Sequence, residues 1–186
     1  VNPKKNLTFA TGLRSIVRQD PDIIMVGEIR DNETADIAIN AAMTGHLLLS
    51  TMHANDAATT FPRLIEMGIE PFLVASSLNV IVAQRLVRKI CDRCRASHMI
   101  TEEERALLMN QEQAVTVIHQ TGHESSAGLR LFKGSGCAAC GHAGYRGRTG
   151  IFEVMEVGEE LRSLIVAKAA ADRIHAQAIA LGMKTM

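Results

Sequence analysis

Ile23-Ile24-Met25-Val26-Gly27-Glu28-Ile29-Arg30-Asp31 and Leu47-Leu48-Leu49-Ser50-Thr51-Met52-His53 are the two stretches that decide the fold. Each opens on a continuous apolar run, bounded upstream by turn formers: Asp20-Pro21-Asp22 before the first and Gly45 before the second. Runs of this kind mark strands of a parallel sheet covered on both faces. Between them, residues 31–43 read as a helix, with Asp31 or Asn32 as its cap and Gly45 as its stop. A strand, a helix-length crossover and a second strand predict a parallel pair with a right-handed connection. Glu28 and His53 then lie just beyond the carboxyl ends of neighbouring strands, the edge where open α/β sheets bind ligands. A carboxylate there can orient a water or hold it through a metal, and a histidine can sense a phosphate. The plain structural reading is that Glu28 caps a helix and His53 fills a turn.

Upstream, residues 8–17 read as a helix capped by Thr8 and broken by Pro21, which disfavours helix at the residue before it. Downstream, a helix over 56–67 contains Pro62 as an awkward member. Pro71 suits the first turn of a third helix reaching Val87. Its stripe of Leu73, Val74, Leu78, Ile81 and Val82 reads as core, as do the methionines. After Arg88 the elements shorten. Thr101-Glu102-Glu103-Glu104 opens a helix to Met109 with a capping box. Residues 115–118 and 129–132 read as short strands around a polar loop at 121–128. The glycine-rich segment 141–150 precedes a strand at 151–157, and helices near 159–166 and 172–181 close the chain.

The 186 residues are 47% hydrophobic and 22% charged, ordinary for a folded chain with a real core, and only 3% aromatic. Twenty basic residues balance twenty acidic ones, so no global field draws it to nucleic acid or an anionic surface. A zinc-ribbon module touching nucleic acid through Arg85, Arg88, Lys89, Arg93 and Arg95 is a rival class. The single tyrosine argues against it, because no stacking platform is visible. The longest apolar stretch, 71–84, is too short for a bilayer span. Val1 at the start and Lys184-Thr185-Met186 at the end both read as cuts through a longer polypeptide.

Cys91-x-x-Cys94 and Cys137-x-x-Cys140 supply four thiols, a set that suits tetrahedral zinc. The 42 residues between the pairs exceed a usual ribbon gap, and free thiols or two disulfides stay open on spacing alone. His98 and His142 read as surface residues. Four cysteines leave no position open for water, so a zinc ion here is structural.

Ile23–Asp31 resembles the Walker B segment of the type II secretion and type IV pilus assembly ATPase family. Thr44-Gly45-His46 through Asp56 resembles that family's histidine box, and Leu13-Arg14-Ser15-Ile16-Val17-Arg18 the arginine-bearing stretch before Walker B. Gln84-Arg85-Leu86 and Tyr145-Arg146-Gly147-Arg148-Thr149-Gly150 continue the match along essentially the whole chain. The resemblance implies the second half of a RecA-like α/β domain, with a four-cysteine zinc subdomain and a small helical tail. It implies Glu28 as the glutamate that activates the attacking water, and His53 as the histidine near the γ-phosphate, with His46 in support. Arg14, Arg18, Arg30 and Arg148 match arginines linked to nucleotide or subunit-interface contacts, roles suited to an always-charged, bidentate group. A surface salt bridge is the plain alternative for each. The 144–150 stretch, read as flexible, would carry Arg148 away from its own subunit's sheet edge. The family's assembly branch has a matching four-cysteine motif, whereas the retraction-type motors of the same superfamily generally lack it.

One departure stands out. The family carries a G-x-x-x-x-G-K-[ST] loop whose amides and lysine cradle phosphates, and this sequence has none. The loop is expected upstream of Val1, leaving the hydrolytic half of the site without the binding half. The expected domains are a partial ATPase core at 1–88, a zinc subdomain at 89–148 and a helical region at 149–186. ATP, Mg2+ and Zn2+ are the cofactors the resemblance implies. A homohexamer docked on an inner-membrane platform protein, at the cytoplasmic face of the membrane and without nucleic acid, is the implied assembly. Pilus assembly and type II secretion are not separated by these residues.

Overall fold

The computed structural model describes residues 8–111, 114, 115, 118 and 129–186. They form two compact units, one of residues 1–85 with 151–186 and one of residues 86–150.

In the first unit, α1 (Phe9–Val17) starts where the Thr8 side chain accepts the Thr11 N–H and the Thr11 side chain returns the bond, a reciprocal cap. The chain reverses through Asp20 at a φ of 51° and enters β1 (Ile23–Val26). The Asp31 carboxylate caps α2 (Asn32–Met43) by accepting the Thr34 N–H at 2.8 Å. Gly45, at a φ of 102°, supplies the left-handed turn that ends it. β2 (Leu47–Ser50) returns parallel to β1, with Ile23 beside Leu47 and Val26 beside Ser50. Ile24 and Val26 are buried, but Ile23 and Met25 are 61% and 64% exposed. The pair is therefore covered on one face, and its other apolar face is open, unlike the two-sided burial that the continuous runs predict.

The helix expected over 56–67 is shorter. Asp56 and Thr59 cap each other in a turn, and α3 (Thr60–Glu66) follows. Pro62 thus falls in the first turn, where its missing N–H leaves no bond unmade. α4 (Pro71–Ser77) stops ten residues short of the expected Val87. The Ser76 and Ser77 hydroxyls donate to the Phe72 and Leu73 carbonyls, competing with the helix ladder. Leu78 then turns extended, and the β-branched run Val80-Ile81-Val82 becomes β3 (Val80–Ile90). Of the stripe read as core, Val74 is buried, Leu73, Leu78 and Ile81 are half-buried against the core, and Val82 is 57% exposed. Met155 is buried, while Met25, Met43, Met99 and Met109 are not.

β3 pairs with β6 (Tyr145–Glu156), and the chain passes between the units along these two strands. The segment 145–150, read from its glycines as flexible, is strand. α6 (Glu159–Val166) and α7 (Ala171–Ala180) bury Leu161, Ile165, Ile174 and Ala178 in the same core as Phe61, Val74 and Met155. The closing helices therefore belong to the first unit.

In the second unit β4 (Arg95–Met99), not anticipated from the sequence, runs antiparallel to β5 (Arg130–Gly134), with Ser97 opposite Phe132. α5 (Glu102–Met109) has the expected Thr101–Glu104 capping box. The strand expected at 115–118 is not formed, because Val115 and Ile118 are helical; Thr116 and Val117, and the loop at 121–128, lie outside the described residues.

Two glycines hold the second unit's backbone together at van der Waals contact. A Cβ built on Gly134 lies 2.0 Å from the Gly144 carbonyl oxygen, and Gly144 itself has a φ of 74°. Neither obstacle is a movable side chain. Gly134→Ala is expected to destabilise this unit by at least about 2 kcal/mol, the cost of enforced overpacking. Thermal unfolding followed by thiol reactivity of the four cysteines checks it, with Gly12→Ala in the first unit as the control for a glycine of open surroundings and ordinary backbone.

Candidate functional site

The in-register pair delivers two side chains to one sheet edge. Glu28 follows β1 by two residues, and His53 follows β2 by three. Beyond the strands the two segments stay tied: the Thr51 hydroxyl donates to the Gly27 carbonyl at 2.7 Å, and the Ile29 N–H donates to the Thr51 carbonyl at 3.0 Å. Glu28 Oε2 then lies 3.4 Å from His53 Nε2 and 2.7 Å from Arg30 Nε. The Arg30 hydrogen bond and charge hold the Glu28 carboxyl below its ordinary range, with His53 adding to the effect and desolvation opposing it. Glu28 is thus a carboxylate at neutral pH, an acceptor flanked by two donors. The His53 side chain is 80% exposed and also borders an open cleft of about 640 Å3 lined by Asn55, Thr59, Arg63 and Glu66.

His46 is not brought to this edge. It precedes β2, at the end of the pair where the Leu47 N–H donates to the Asp22 carbonyl. Its side chain is 10% exposed, its Nδ1 lies 3.0 Å from the Ala41 carbonyl, and its Nε2 is 3.9 Å from Asp20. Arg14 pairs with Glu33 at the start of α2, at 2.9 Å. Arg18 is exposed just past α1, and Arg148 is exposed on β6 in the second unit.

The histidine segment has further anchors that sequence reading did not assign. Arg85 Nη2 donates to the Asn55 carbonyl at 3.1 Å. The Ala57 N–H donates to Glu153 Oε1 at 2.8 Å. Glu153 carries a usable signal, a carboxylate set within an apolar strand, but alternation points it outward: its neighbours Phe152 and Val154 are the ones that look buried.

The four cysteines converge in the second unit. Their sulfurs all lie within 4.8 Å of one another, with Cys91 to Cys137 and Cys94 to Cys140 at 4.0 Å and Cys137 to Cys140 at 3.8 Å. None forms a disulfide. Four thiolates around zinc at its usual Zn–S length stand ~3.8 Å apart, so the cage is compatible with that ion. Each pair sits on a tight turn: the Cys94 N–H reaches the Cys91 carbonyl, and the Cys140 N–H the Cys137 carbonyl. The thiols are unequal. The Cys137 N–H, foremost, holds the Cys140 thiol down at about 6, whereas burial pushes Cys94 up to about 11. His98 is half-buried and engaged by Glu104 at 3.1 Å, and His142 is exposed, so neither competes for the cage.

The fold around this edge is that of solved ATPases. The ATPase DotB of Legionella pneumophila matches 94% of this chain with 34% of its own, at a TM-score of 0.53 and 22% identity. The pilus retraction motor PilT with bound ADP matches 96% with 41% of its own, at 0.51 and 22%. In sequence, the model of the type II/IV secretion system protein family matches residues 1–186, and the chain belongs to that family. The type II secretion system protein E of Aeromonas hydrophila is 49% identical over 165 residues, covering 89% of this chain and 30% of that protein. The type IV pilus assembly ATPase PilB of Thermus thermophilus is 47% identical over all 186 residues, 20% of its own length. The chain thus spans about a fifth to a third of the curated relatives it matches.

Two outcomes test this geometry. A group whose folded pKa is depressed adds stability above its unfolded value and loses it as pH falls through the folded one. Arg30→Ala should raise the Glu28 titration towards that of an ordinary carboxylate, as read by carbonyl NMR of that side chain. For the cage, elemental analysis of reduced protein should find one zinc per chain. Chelation or Cys137→Ser should loosen residues 86–150 while the β1–β2 pair persists in hydrogen exchange.

Proposed function

We propose that this chain is the hydrolytic part of an ATP-driven motor subunit that powers assembly of a type IV pilus or a type II secretion pseudopilus. The observation that carries the reading is the Glu28–His53 contact at the carboxyl edge of a parallel pair, in a chain of this family. In the proposed mechanism the Glu28 carboxylate takes a proton from the water that attacks the terminal phosphate, and exposed His53 faces that phosphate. Magnesium, accompanying the nucleotide, supplies charge neutralisation at the phosphates. Arg30 keeps Glu28 ionised but also lowers its affinity for a proton. A guanidinium 68% exposed can turn towards an arriving anion, and Glu28 then regains basicity as that partner leaves. Arg14, Arg18 and Arg148 are proposed to serve nucleotide or subunit contacts, and His46 to act through the fold from the far edge.

The assembly is proposed to be a homohexamer at the inner face of the cytoplasmic membrane, working on a platform protein there. The relatives' names support only work within a secretion or pilus-assembly system. The gathered cysteines favour the assembly reading over a retraction motor. Phosphate binding is assigned to a glycine-rich loop elsewhere in the polypeptide, so the 186 residues alone are expected to show no tight ATP binding or turnover.

In the polypeptide that carries this chain, Glu28→Gln should leave ATP binding nearly intact and cut turnover by roughly 10²–10⁴, the usual worth of a positioned base. Arg148, exposed on strand β6 and not on a flexible loop, is proposed on the family resemblance alone to act across the subunit interface. Mixed hexamers of Glu28→Gln and Arg148→Ala should then recover activity, since some interfaces pair an intact glutamate with an intact arginine. A mixture as inactive as its components, with exchange of subunits demonstrated, removes the trans assignment.

A further inference from the structure

Glu153 is the one charged side chain that the described core encloses, 2% exposed on β6, while Phe152 and Val154 beside it are 55% and 53% exposed. The strand is turned so that its carboxylate faces inward and its apolar neighbours face out. Burying a carboxylate is costly unless its oxygens are met, and one of the two is met by a hydrogen bond. Oε1 accepts the Ala57 N–H at 2.8 Å, and Oε2 lies 3.8 Å from His175 Nε2 on α7. Packing alone would be served by leucine or methionine at this position; what the carboxylate adds is an acceptor for the Ala57 N–H.

Those contacts define a loop held at three points. Thr51 ties its front to Gly27, Arg85 holds Asn55 at its middle, and Glu153 holds Ala57 at its rear. His53 lies between the first and second anchors, 80% exposed, with Glu28 at 3.4 Å as its side-chain partner among the described residues. Its own side chain is too lightly held to fix where it stands, so the loop's anchors must. Ala57 is fully enclosed, and its N–H has this carboxylate as its acceptor. We propose that Glu153 is a positioning residue for His53: through the Ala57 N–H it fixes the rear of the histidine loop, with His175 of α7 standing 3.8 Å from its other oxygen. The assignment rests on the reading of His53 as facing the nucleotide.

The test uses the full polypeptide in its assembled form, with Glu153→Met, which keeps the volume and removes the acceptor, and Glu153→Gln, which keeps one acceptor oxygen. Amide exchange is measured across 51–58 and, as controls, in α2 and α4, together with kcat and KM for ATP. In Glu153→Met the Ala57 amide should exchange about tenfold faster, the factor one ordinary hydrogen bond is worth, while α2 and α4 are unchanged. The kcat should fall about tenfold or more through misplacement, with KM held within about twofold. Glu153→Gln should restore both. An unchanged Ala57 amide, exchange rising equally in α2 and α4, or an unchanged kcat with a fast Ala57 overturns the proposal. Should Glu153→Met not fold, Glu153→Asp, one methylene short of Ala57, carries the same comparison. A wild-type polypeptide without ATP turnover would remove the ATPase reading, while the exchange pattern would still decide whether Glu153 holds the loop.

Discussion

Parallel pairing in register between β1 and β2 is the constraint from which the rest of the first unit follows. Ile23 lies beside Leu47 and Val26 beside Ser50, so the two strands end level and their exit segments leave together. A slip of two residues would part Glu28 and His53 by roughly 7 Å, since a strand rises about 3.3 Å per residue. No side-chain contact could bridge that. The Thr51–Gly27 and Ile29–Thr51 bonds extend the ladder past the strands and fix the exits where an ion pair can form. α2 sets the register from behind: its Asp31 cap and Gly45 stop determine where the crossover begins and ends.

The second unit obeys a different constraint. Among its described residues, only Cys91 and Ile118 are buried hydrophobic side chains, so aliphatic burial has little to offer it. What converges instead is the thiol cage and the glycine backbone packed beside it. The four sulfurs are free thiols, 4.0 Å apart in the Cys91–Cys137 and Cys94–Cys140 pairs. Their convergence is what the described backbone of this unit serves. Gly134 and Gly144 are glycine for the same reason: their backbones must approach closely to bring Cys137–Cys140 round to Cys91.

Much of the fold could be read from residues with local, short-range jobs. Thr8, Asp31 and Thr101 marked helix starts because a cap is decided within four residues. The apolar runs marked β1 and β2 because strand burial is periodic. The misreadings arose where tertiary context decides. Residues 78–87 could continue a helix by stripe, but the β-branched run prefers a strand once β6 is there to pair with it. Residues 145–150 look like a loop by composition, since four of the ten residues at 141–150 are glycine, yet pairing makes them strand. Glu153 was invisible to alternation because its inward turn depends on an acceptor-seeking N–H 96 positions away.

The two histidines of the histidine box show why topology must correct a motif. In sequence they are seven positions apart and look like one site. A parallel strand runs between them, however, and its four residues separate them by about 13 Å along the sheet. His46 closes α2 through the Ala41 carbonyl and is nearly enclosed, whereas His53 stands open beside Glu28. One residue type thus does two kinds of work: an imidazole that finishes a helix sets where β2 begins, and one that follows the strand meets what binds at its end. Because β2 is rigidly paired along its length, an error at the first position shifts the second. His46 can in this way matter to the site without ever reaching it.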